Sequence, residues 1–355
     1  MASRSNGAIG ALAYLAAAGT ILAAGNAAAQ DLTLTKAEHT PFTCDATITV
    51  ADLAKYTLPK PTKPYKIHLS VPSFANPYIL AVIYGAERAA KESGVTLSIG
   101  AGKGFMDPAS QITQLENALS RKPDAVLINP ADPAGLATSI DDAIDAGTPV
   151  IDVGTLSASE HSDKLVQDDY TQGQRAADAL TKLLPAGGEG IVMGGPANAS
   201  WARRRIAGFL DAVASHPSIR VSAVVNTDID PQQGLTKFTN AAQAHPKLDW
   251  IYTTGSFLLE PQSVPAEYKH ALYVGGGFTN VTQEALQNGT AAAILPDFPI
   301  SIGYIGVGLA IQKLNGTKIP QRDCAPVDVM VKADLRDPVW AQSSMVPPDW
   351  VAPTK

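Results

Sequence analysis

The spacing of apolar residues alternates between two periods, beginning near Tyr65. Ile67, Leu69 and Val71 occupy every second position, which is the spacing of a β-strand with one buried face. The apolar residues that follow recur at the three- and four-residue intervals of one α-helical face: Ile79, Val82, Ile83, Ala86, Ala89 and Ala90. Gly94 then predicts the end of that helix. A strand followed by a helix is therefore predicted here.

The same alternation continues along the chain and restarts after about residue 164. Further strands are predicted at 95–99, 124–128, 150–153, 191–193, 220–225, 249–253, 271–274 and 291–295. Further helices are predicted at 108–121, 134–145, 176–184, 206–213, 233–243, 281–287 and 299–314. Strands that alternate with helices in this way form parallel sheets covered on both faces. The sequence therefore predicts an α/β fold of two doubly wound parallel-sheet lobes, in which ligands bind beyond the C-terminal ends of the strands.

Residues 1–29 have the features of a secretory signal peptide. Arg4 is their only charged side chain, residues 9–24 are apolar or small, and a small-residue cleavage site ends at Ala29. A membrane anchor is the alternative, but the apolar stretch is shorter than the roughly 20 residues that a spanning helix needs. We therefore expect export to the periplasm and a soluble mature chain that starts near Gln30.

Composition excludes several classes of protein. Of the 355 residues, 17% are charged and 45% are hydrophobic, which is too apolar for a disordered chain. The formal net charge of −6 gives no general attraction to nucleic acid, so no nucleic-acid partner is expected. Two cysteines are too few for a disulfide-dense scaffold or a cysteine-rich metal site.

Cys44 and Cys324 are the two cysteines, and export would place them in an oxidising compartment. We predict a single disulfide between them, which would tie an N-terminal extension to a segment near the C-terminus. Two separate buried thiols are the alternative. The extension, residues 30–64, has three prolines near its end, and because prolines interrupt regular hydrogen-bonded ladders we predict an extended arm.

No catalytic motif is present in the sequence. It has no G-x-S-x-G nucleophile motif, and its six histidines do not share metal-ligand spacing. The glycine-rich segment 100–104 follows a predicted strand but lacks both G-K-[ST] and the third glycine of G-x-G-x-x-G. We therefore expect no catalytic residue, no metal site and no cofactor, and a binding protein rather than an enzyme.

Four segments at predicted strand ends resemble a known family in their order and spacing. They are S-F-A-N-P-Y at 73–78, I-N-P-A-D at 128–132, G-P-A-N-A-S-W-A-R-R-R-I-A-G-F at 195–209, and N-G followed by an apolar strand at 288–295. Together they resemble the type I periplasmic solute-binding proteins of the ribose-binding-protein group, over roughly residues 65–332. The N-terminal arm and a Pro-rich tail go beyond the ribose binders, and similar additions occur in the TorT-like subgroup of periplasmic sensing proteins.

The resemblance implies two lobes joined by three crossing segments, near 164–168, 295–298 and 324–327. The N-terminal lobe would comprise 65–164 and 297–324, the C-terminal lobe 165–296 and 325–345, and the tail 346–355. A ligand would bind in the cleft between the lobes, which would close by hinge motion.

The resemblance also implies ligand contacts. Family contact positions fall on Asn76, Tyr78, Asn129, Arg203 and Asp297. At three further positions the sequence departs from the sugar binders, with Thr155 in place of Arg, Gly277 in place of Asp and Gly255 in place of Asn. Because these departures remove groups that pair with hydroxyls, ribose itself is not the expected ligand.

Aromatic residues gather at predicted strand ends and helix starts: Tyr78, Trp201, Phe257, Phe278 and Phe298. Such residues with few polar groups describe a pocket for a small, neutral and partly apolar molecule, such as a sugar-like compound, a polyol or a small alcohol. Ordinary packing within a lobe is the alternative for each of them. For Arg203 the alternative is a solvated helix residue, like its neighbours Arg204 and Arg205.

Two functions are compatible with these features. The first is a monomeric solute receptor that delivers its small-molecule ligand to an ABC permease. The second is a TorT-like sensor of the same fold that signals to a membrane histidine kinase. A transcription regulator with this fold would carry a helix-turn-helix where this chain has a signal peptide, so that class is disfavoured.

Overall fold

The computed structural model describes residues 33–353 and contains two β-sheets whose neighbouring strands are parallel. The predicted signal peptide lies outside the described residues. The strands are β1 Ala46–Thr47, β2 Lys66–Val71, β3 Thr96–Ala101, β4 Ala125–Ile128, β5 Val150–Gly154, β6 Asp163–Val166, β7 Gly188–Gly194, β8 Ile219–Asn226, β9 Trp250–Thr253, β10 Leu272–Gly276, β11 Ala293–Leu295 and β12 Arg322–Cys324.

Helices follow most of the strands, as the alternation in the sequence predicts. They are α1 Val50–Leu53, α2 Pro77–Ser93, α3 Pro108–Leu119, α4 Ala137–Asp145, α5 Asp169–Leu183, α6 Ser200–Ala214, α7 Pro231–Ala244, α8 Asn280–Asn288, α9 Pro299–Leu314 and α10 Val339–Ser344. Several start where the sequence offers a capping side chain; the Asn76 side chain, for example, accepts hydrogen bonds from the backbone at the start of α2.

The N-terminal lobe is built on a seven-stranded sheet with the order β1-β12-β6-β5-β4-β2-β3. Helices α2 and α9 cover one face, where apolar strand residues such as Ile67 and Leu69 are fully buried. Helices α3 and α4 cover the other face through residues such as Leu115 and Ile140. Both faces are therefore dry, which explains why β4 and β5 are buried along their whole length.

The C-terminal lobe is built on a five-stranded sheet with the order β11-β10-β9-β7-β8. Helices α5 and α6 cover one face, and α7 and α8 cover the other. Phe209 of α6 stacks on Tyr252 of β9 with ring centroids 4.5 Å apart, and both rings are buried. The predicted fold of two doubly wound lobes is confirmed.

The chain passes between the two sheets at three places. β6 in the first sheet is followed by α5 on the second, and β11 in the second sheet is followed by α9 on the first. After β12 the chain returns to the second sheet, where Met330 forms an isolated bridge with Ile294 of β11. These passages lie side by side, so the C-terminal ends of both sheets face one cleft.

The N-terminal arm is more regular than the extended segment that its prolines predict. Its strand β1 pairs in parallel with β12 and adds an edge to the first sheet. The predicted disulfide is confirmed: Cys44 and Cys324 are bonded next to this pairing, with their Cα atoms 5.8 Å apart. The short helix α1 follows, and its Leu53 packs against the hydrophobic cores of both lobes. The arm therefore bridges the lobes.

The Pro-rich tail continues from α10 of the C-terminal lobe onto the N-terminal lobe and so also connects the lobes. Trp340 of α10 is buried in the C-terminal lobe, with its ring 5.6 Å from that of Phe298. Trp350 then lies on helix α2 of the N-terminal lobe, where its ring is 5.6 Å from Tyr84 and its Nε1 donates to Glu87 at 3.0 Å. None of the helices in the described part of the chain is both long and apolar enough to cross a lipid bilayer.

Candidate functional site

A small cavity of about 40 Å³ lies between the two lobes, at the C-terminal ends of their strands. Each lobe and the segments between them contribute to its wall. The lining residues are Asn76, Tyr78, Ile79, Phe105, Asn129, Gly154, Thr155, Gln167, Asp169, Trp201, Arg205, Ile229, Phe257 and Asp297. Seven of the ten residues predicted from the sequence are among them.

The start of helix α2 forms one part of the N-terminal wall. The Asn76 side chain accepts hydrogen bonds from the backbone N–H groups of Tyr78 at 2.8 Å and Ile79 at 3.2 Å, and so fixes the first turn. The Tyr78 hydroxyl lies against the backbone of Gly154, where an added Cβ would be only 2.3 Å from it. Gly154 also has a positive φ of 83°, so a side chain at this position would be strained and would displace Tyr78.

Asn129 follows strand β4 and is fully buried. Its Nδ2 donates to the Val153 carbonyl at 2.7 Å and to the Thr155 hydroxyl at 3.3 Å. Gln111 holds the backbone around it, because its Nε2 donates to the Asn129 carbonyl at 2.9 Å. The Asn129 Oδ1 accepts no hydrogen bond from any described residue. This orphaned acceptor faces a cavity, so it is available to a ligand donor.

Arg205 of helix α6 is the central charged group of the C-terminal wall, and it is 5% exposed. Its Nε donates to Asp169 at 2.9 Å, one terminal nitrogen donates to Asp297 at 2.9 Å, and the other donates to the Thr254 carbonyl at 2.7 Å. Gln172 also donates to Asp297, at 3.0 Å. A guanidinium has five N–H donors, and three are used here. The remaining two can donate to a ligand.

The two carboxylates that flank Arg205 are also nine-tenths buried or more. Burial raises the pKa of Asp169 to about 6, although the Arg205 charge opposes the rise. Burial alone would lower the pKa of Arg205, but Asp297 and Asp169 outweigh it and the pKa is raised. Burial likewise raises the pKa of the Tyr78 phenol, which stays protonated as a hydrogen-bond donor. The site therefore combines a fixed cation with hydrogen-bond acceptors on both sides.

Two aromatic rings complete the C-terminal wall. Trp201 and Phe257 meet edge to face, with centroids 6.0 Å apart. The Arg205 guanidinium carbon lies 5.3 Å from the centre of the Trp201 ring, which is within cation–π range. These rings give the polar cluster an apolar border.

The structure places Arg203, a predicted ligand contact, outside this cavity. Its guanidinium forms an ion pair with Glu38 of the arm, with Nη2–Oε2 at 2.9 Å, and donates to the carbonyls of Thr33 and Ala197. Arg205 occupies the cavity instead. Trp201 and Arg205 are four residues apart and share one face of α6, whereas Arg203 lies on the opposite face. Helical spacing from Trp201 was the signal that could have identified Arg205.

Two other predicted residues, Gly277 and Phe278, do not line this cavity. Both line an adjoining one, and Phe278 is buried in the hydrophobic core of the C-terminal lobe. Phe298 is fully buried there too. The sequence analysis did not predict Asp169 as a site residue. Its position in the cavity wall depends on the crossing from β6 to α5, which brings the first residue of α5 beside α6.

A family model described as a periplasmic binding protein domain matches residues 67–318. The chain belongs to the periplasmic binding protein family. It is 25% identical over 268 residues to the ribose import binding protein RbsB of Bacillus subtilis strain 168, covering 75% of this chain and 87% of that protein. It is 24% identical over 287 residues to the periplasmic protein TorT of Escherichia coli K12, covering 76% and 79%. The predicted type I, ribose-binding-group resemblance is confirmed.

The fold also matches solved structures of this family. A solute-binding protein of an ABC transporter from Bradyrhizobium sp. BTAi1, solved with bound Bis-Tris, superposes with a TM-score of 0.72. It is 26% identical, and the match covers 84% of this chain and 91% of that one. The arm and the tail, which bridge the lobes, both lie outside the residues that the family model matches.

Proposed function

We propose that the protein is a periplasmic solute-binding protein that captures a small, neutral, hydroxyl-bearing and partly apolar molecule in its cleft and delivers it to an ABC importer. The cavity between the lobes carries this proposal. Polar groups from both lobes converge on it, so a bound ligand would hold the lobes together and couple binding to closure.

The polar groups favour a hydroxylated ligand. Arg205 has two N–H groups to donate, and the Asn129 Oδ1 is an unused acceptor within residues 33–353. A hydroxyl can satisfy both because it donates and accepts. The rings of Trp201 and Phe257 then cover the carbon face of the ligand. A sugar-like compound, a polyol or a small alcohol has this combination, and the names of the ribose-import relatives support the same class.

A thermal-shift screen of pentoses, polyols and small alcohols, followed by calorimetric titration of each hit, tests the proposal. Thr155→Val keeps the side-chain shape but removes a hydroxyl that lines the cavity. It should weaken binding by about three- to tenfold, the worth of one hydrogen bond. Thr236→Val, at an exposed position of α7, is the matched control and should bind like the wild type. Hits that are insensitive to Thr155→Val would place binding elsewhere.

A sensor that signals to a membrane histidine kinase is the second candidate. One observation favours it: the arm and tail cover parts of both lobes and lie outside the residues that the family model matches. In a strain that lacks the protein, the importer function predicts lost uptake of the identified ligand. The sensor function predicts normal uptake and a lost phosphorylation response. Recovery of a chemically altered ligand after long incubation would contradict both.

A further inference from the structure

A second cavity of about 320 Å³ adjoins the ligand cavity. Tyr78, Phe257 and Asp297 line both, so these residues form a shared boundary. We propose that this second cavity, the side chamber, receives an apolar extension of the ligand. The solute would then be a hydroxylated head joined to an apolar chain. This inference rests on the proposed function and narrows its ligand class.

Gly277 leaves free space in the wall of the side chamber. A Cβ at this position would have one heavy atom within 4 Å, the Asp297 Oδ2 at 3.5 Å. The backbone there has a φ of 82°, which favours glycine and keeps the position free of a side chain. Asp297, which lines both cavities, uses its Oδ1 for Arg205 and Gln172, and its Oδ2 lies 3.5 Å from the position that a Gly277 Cβ would take.

The wall of the side chamber is largely apolar. Pro77 and Ala81 of helix α2 face it from the N-terminal lobe, and Phe278 and Val281 face it from the C-terminal lobe. A chain of methylene groups would lose water against both lobes here, which stabilises the bound state.

One polar atom in the side chamber has no partner. The Ser344 side chain is 6% exposed, and its Oγ makes no hydrogen bond with any residue in the described range. A buried hydroxyl without a partner costs free energy unless a ligand or water satisfies it. Ser344 ends helix α10, which lies beyond the residues matched by the family model.

The two cavities differ in volume, and this difference assigns a different part of the ligand to each. A cavity needs about 10–15 Å³ for one water, so about 40 Å³ suits the head of a small diol or triol. The side chamber, at about 320 Å³, reaches the range typical of small-molecule sites. The side chamber therefore has room for a larger part of the ligand than the first cavity has.

A series of 1,2-diols from propane-1,2-diol to octane-1,2-diol tests the inference by calorimetric titration of the purified protein. Each added methylene should tighten binding by about three- to fourfold until the side chamber is filled, as expected for a buried CH₂ group. Equal affinity for all members would overturn the side chamber while leaving the proposed function intact. Absence of binding by every member, the shortest included, would contradict the hydroxylated head and the proposed function with it.

The Val281→Phe variant tests whether the gain in affinity with chain length arises in the side chamber. Val281 is partly exposed at the chamber wall, so a phenyl ring should be tolerated and should fill part of the space. The variant should bind propane-1,2-diol like the wild type and lose at least tenfold in affinity for octane-1,2-diol. Val331→Phe, at an exposed position outside both cavities, is the matched control. A gain with chain length that survives Val281→Phe would place the extension elsewhere and overturn the proposal.

Discussion

Helix α6 presents two faces with different partners, although the same residue type occurs on both. On the cleft face, Arg205 is buried between two carboxylates and lies beside Trp201. On the outer face, Arg203 pairs with Glu38, and Arg204 donates to the backbone carbonyls of the arm at 2.7–2.8 Å. One face is built to hold a solute, and the other holds the N-terminal arm in place.

The difference shows how position on a helix decides the role of an arginine. Three consecutive arginines point in directions about 100° apart, because the helix has about 3.6 residues per turn. Arg203, two residues after Trp201, points to the opposite side of the helix, whereas Arg205, four residues after it, lies on the same side. The outer face contacts the arm, a segment far away in sequence. Helix α6 therefore contributes both to the ligand site and to the attachment of the arm.

Arg205→Gln should have the largest effect and acts on the cleft face alone. The variant leaves Asp169 and Asp297 buried without their cation, which should lower the free energy of unfolding by about 3–5 kcal/mol. Ligand binding should fall below detection. Chemical denaturation and calorimetric titration measure the two effects. Arg220→Gln, which breaks an exposed pair with Glu189, is the control and should change either quantity little.

If Arg205→Gln does not fold, Arg205→Lys gives the same information. A lysine keeps the charge but cannot make three separate bonds in a fixed plane, so binding should still weaken at least tenfold. Wild-type affinity in Arg205→Lys would mean that the guanidinium does not contact the ligand.

Much of the fold could be predicted from the sequence, because buried parallel strands and amphipathic helices leave a strong periodic pattern. The strands β1, β6 and β12 escaped prediction. β1 has only two residues, and β6 and β12 each begin with two charged residues, so none of them shows an apolar pattern. β1 and β12 also form only by pairing with distant segments. The packing of Trp350 on helix α2 was hidden for the same reason, since a Pro-rich tail carries no signal of its partner.

The residues of the candidate site can be divided in the same way, into those that the sequence predicts and those that depend on packing between distant segments. Asn76, Tyr78 and Asn129 follow predicted strands, and strand ends are where such folds bind ligands. Arg205 could also have been found, by counting from Trp201. The side chamber could be predicted only in part: Gly277 and Phe278, which line it, were predicted as ligand contacts, whereas the contribution of α10 depends on packing between distant segments.

Trp201→Ala should have a smaller effect on the cleft face than Arg205→Gln. Trp201 is half-buried, lines the cavity and packs on Phe257, so its loss should weaken binding by about 1–3 kcal/mol. In the wild type, ligand binding should change the tryptophan fluorescence, and that change should shrink in the variant. Calorimetric titration of the folded variant decides the matter: unchanged affinity would mean that the indole only packs against its own lobe.

Arg203→Ala acts on the outer face and should leave the affinity within twofold of wild type. It removes a partly buried ion pair and the hydrogen bond to Thr33, which should lower the free energy of unfolding by about 1 kcal/mol. The arm should then become more accessible, which limited proteolysis near residues 33–42 would detect. An affinity loss as large as that of Trp201→Ala would show that the two faces are not independent.

A change in pH should affect the two faces of α6 differently. The expected change in the free energy of unfolding is the smallest of these effects. On the cleft face, burial raises the pKa of Asp169 to about 6. On the outer face, burial raises the pKa of Glu38, but the hydrogen bonds from Arg203 and from the Thr35 backbone outweigh it and lower the pKa below its usual value. The first carboxylate should therefore take up its proton well before the second as the pH falls.

The two carboxylates then have opposite signs in the dependence of stability on pH. Because the Asp169 pKa is raised on folding, its stabilising contribution is complete below about pH 4 and is lost as the pH rises through about 6, a change of about 1 kcal/mol between pH 5 and pH 7. The Glu38 contribution is present above its usual pKa and is lost as the pH falls through the lowered folded value.

Denaturation curves from pH 3 to pH 7.5 for Asp169→Asn and Glu38→Gln measure both contributions to stability. Asp169→Asn should reduce the dependence between pH 5 and pH 7, where Asp323, whose pKa burial also raises to about 6, would still titrate. Glu38→Gln should be less stable than wild type near neutral pH, and the difference should shrink as the pH falls through the lowered pKa of Glu38. A Glu38→Gln variant that alters the pH dependence between pH 5 and pH 7 instead would show that the arm is coupled to the charges of the cleft.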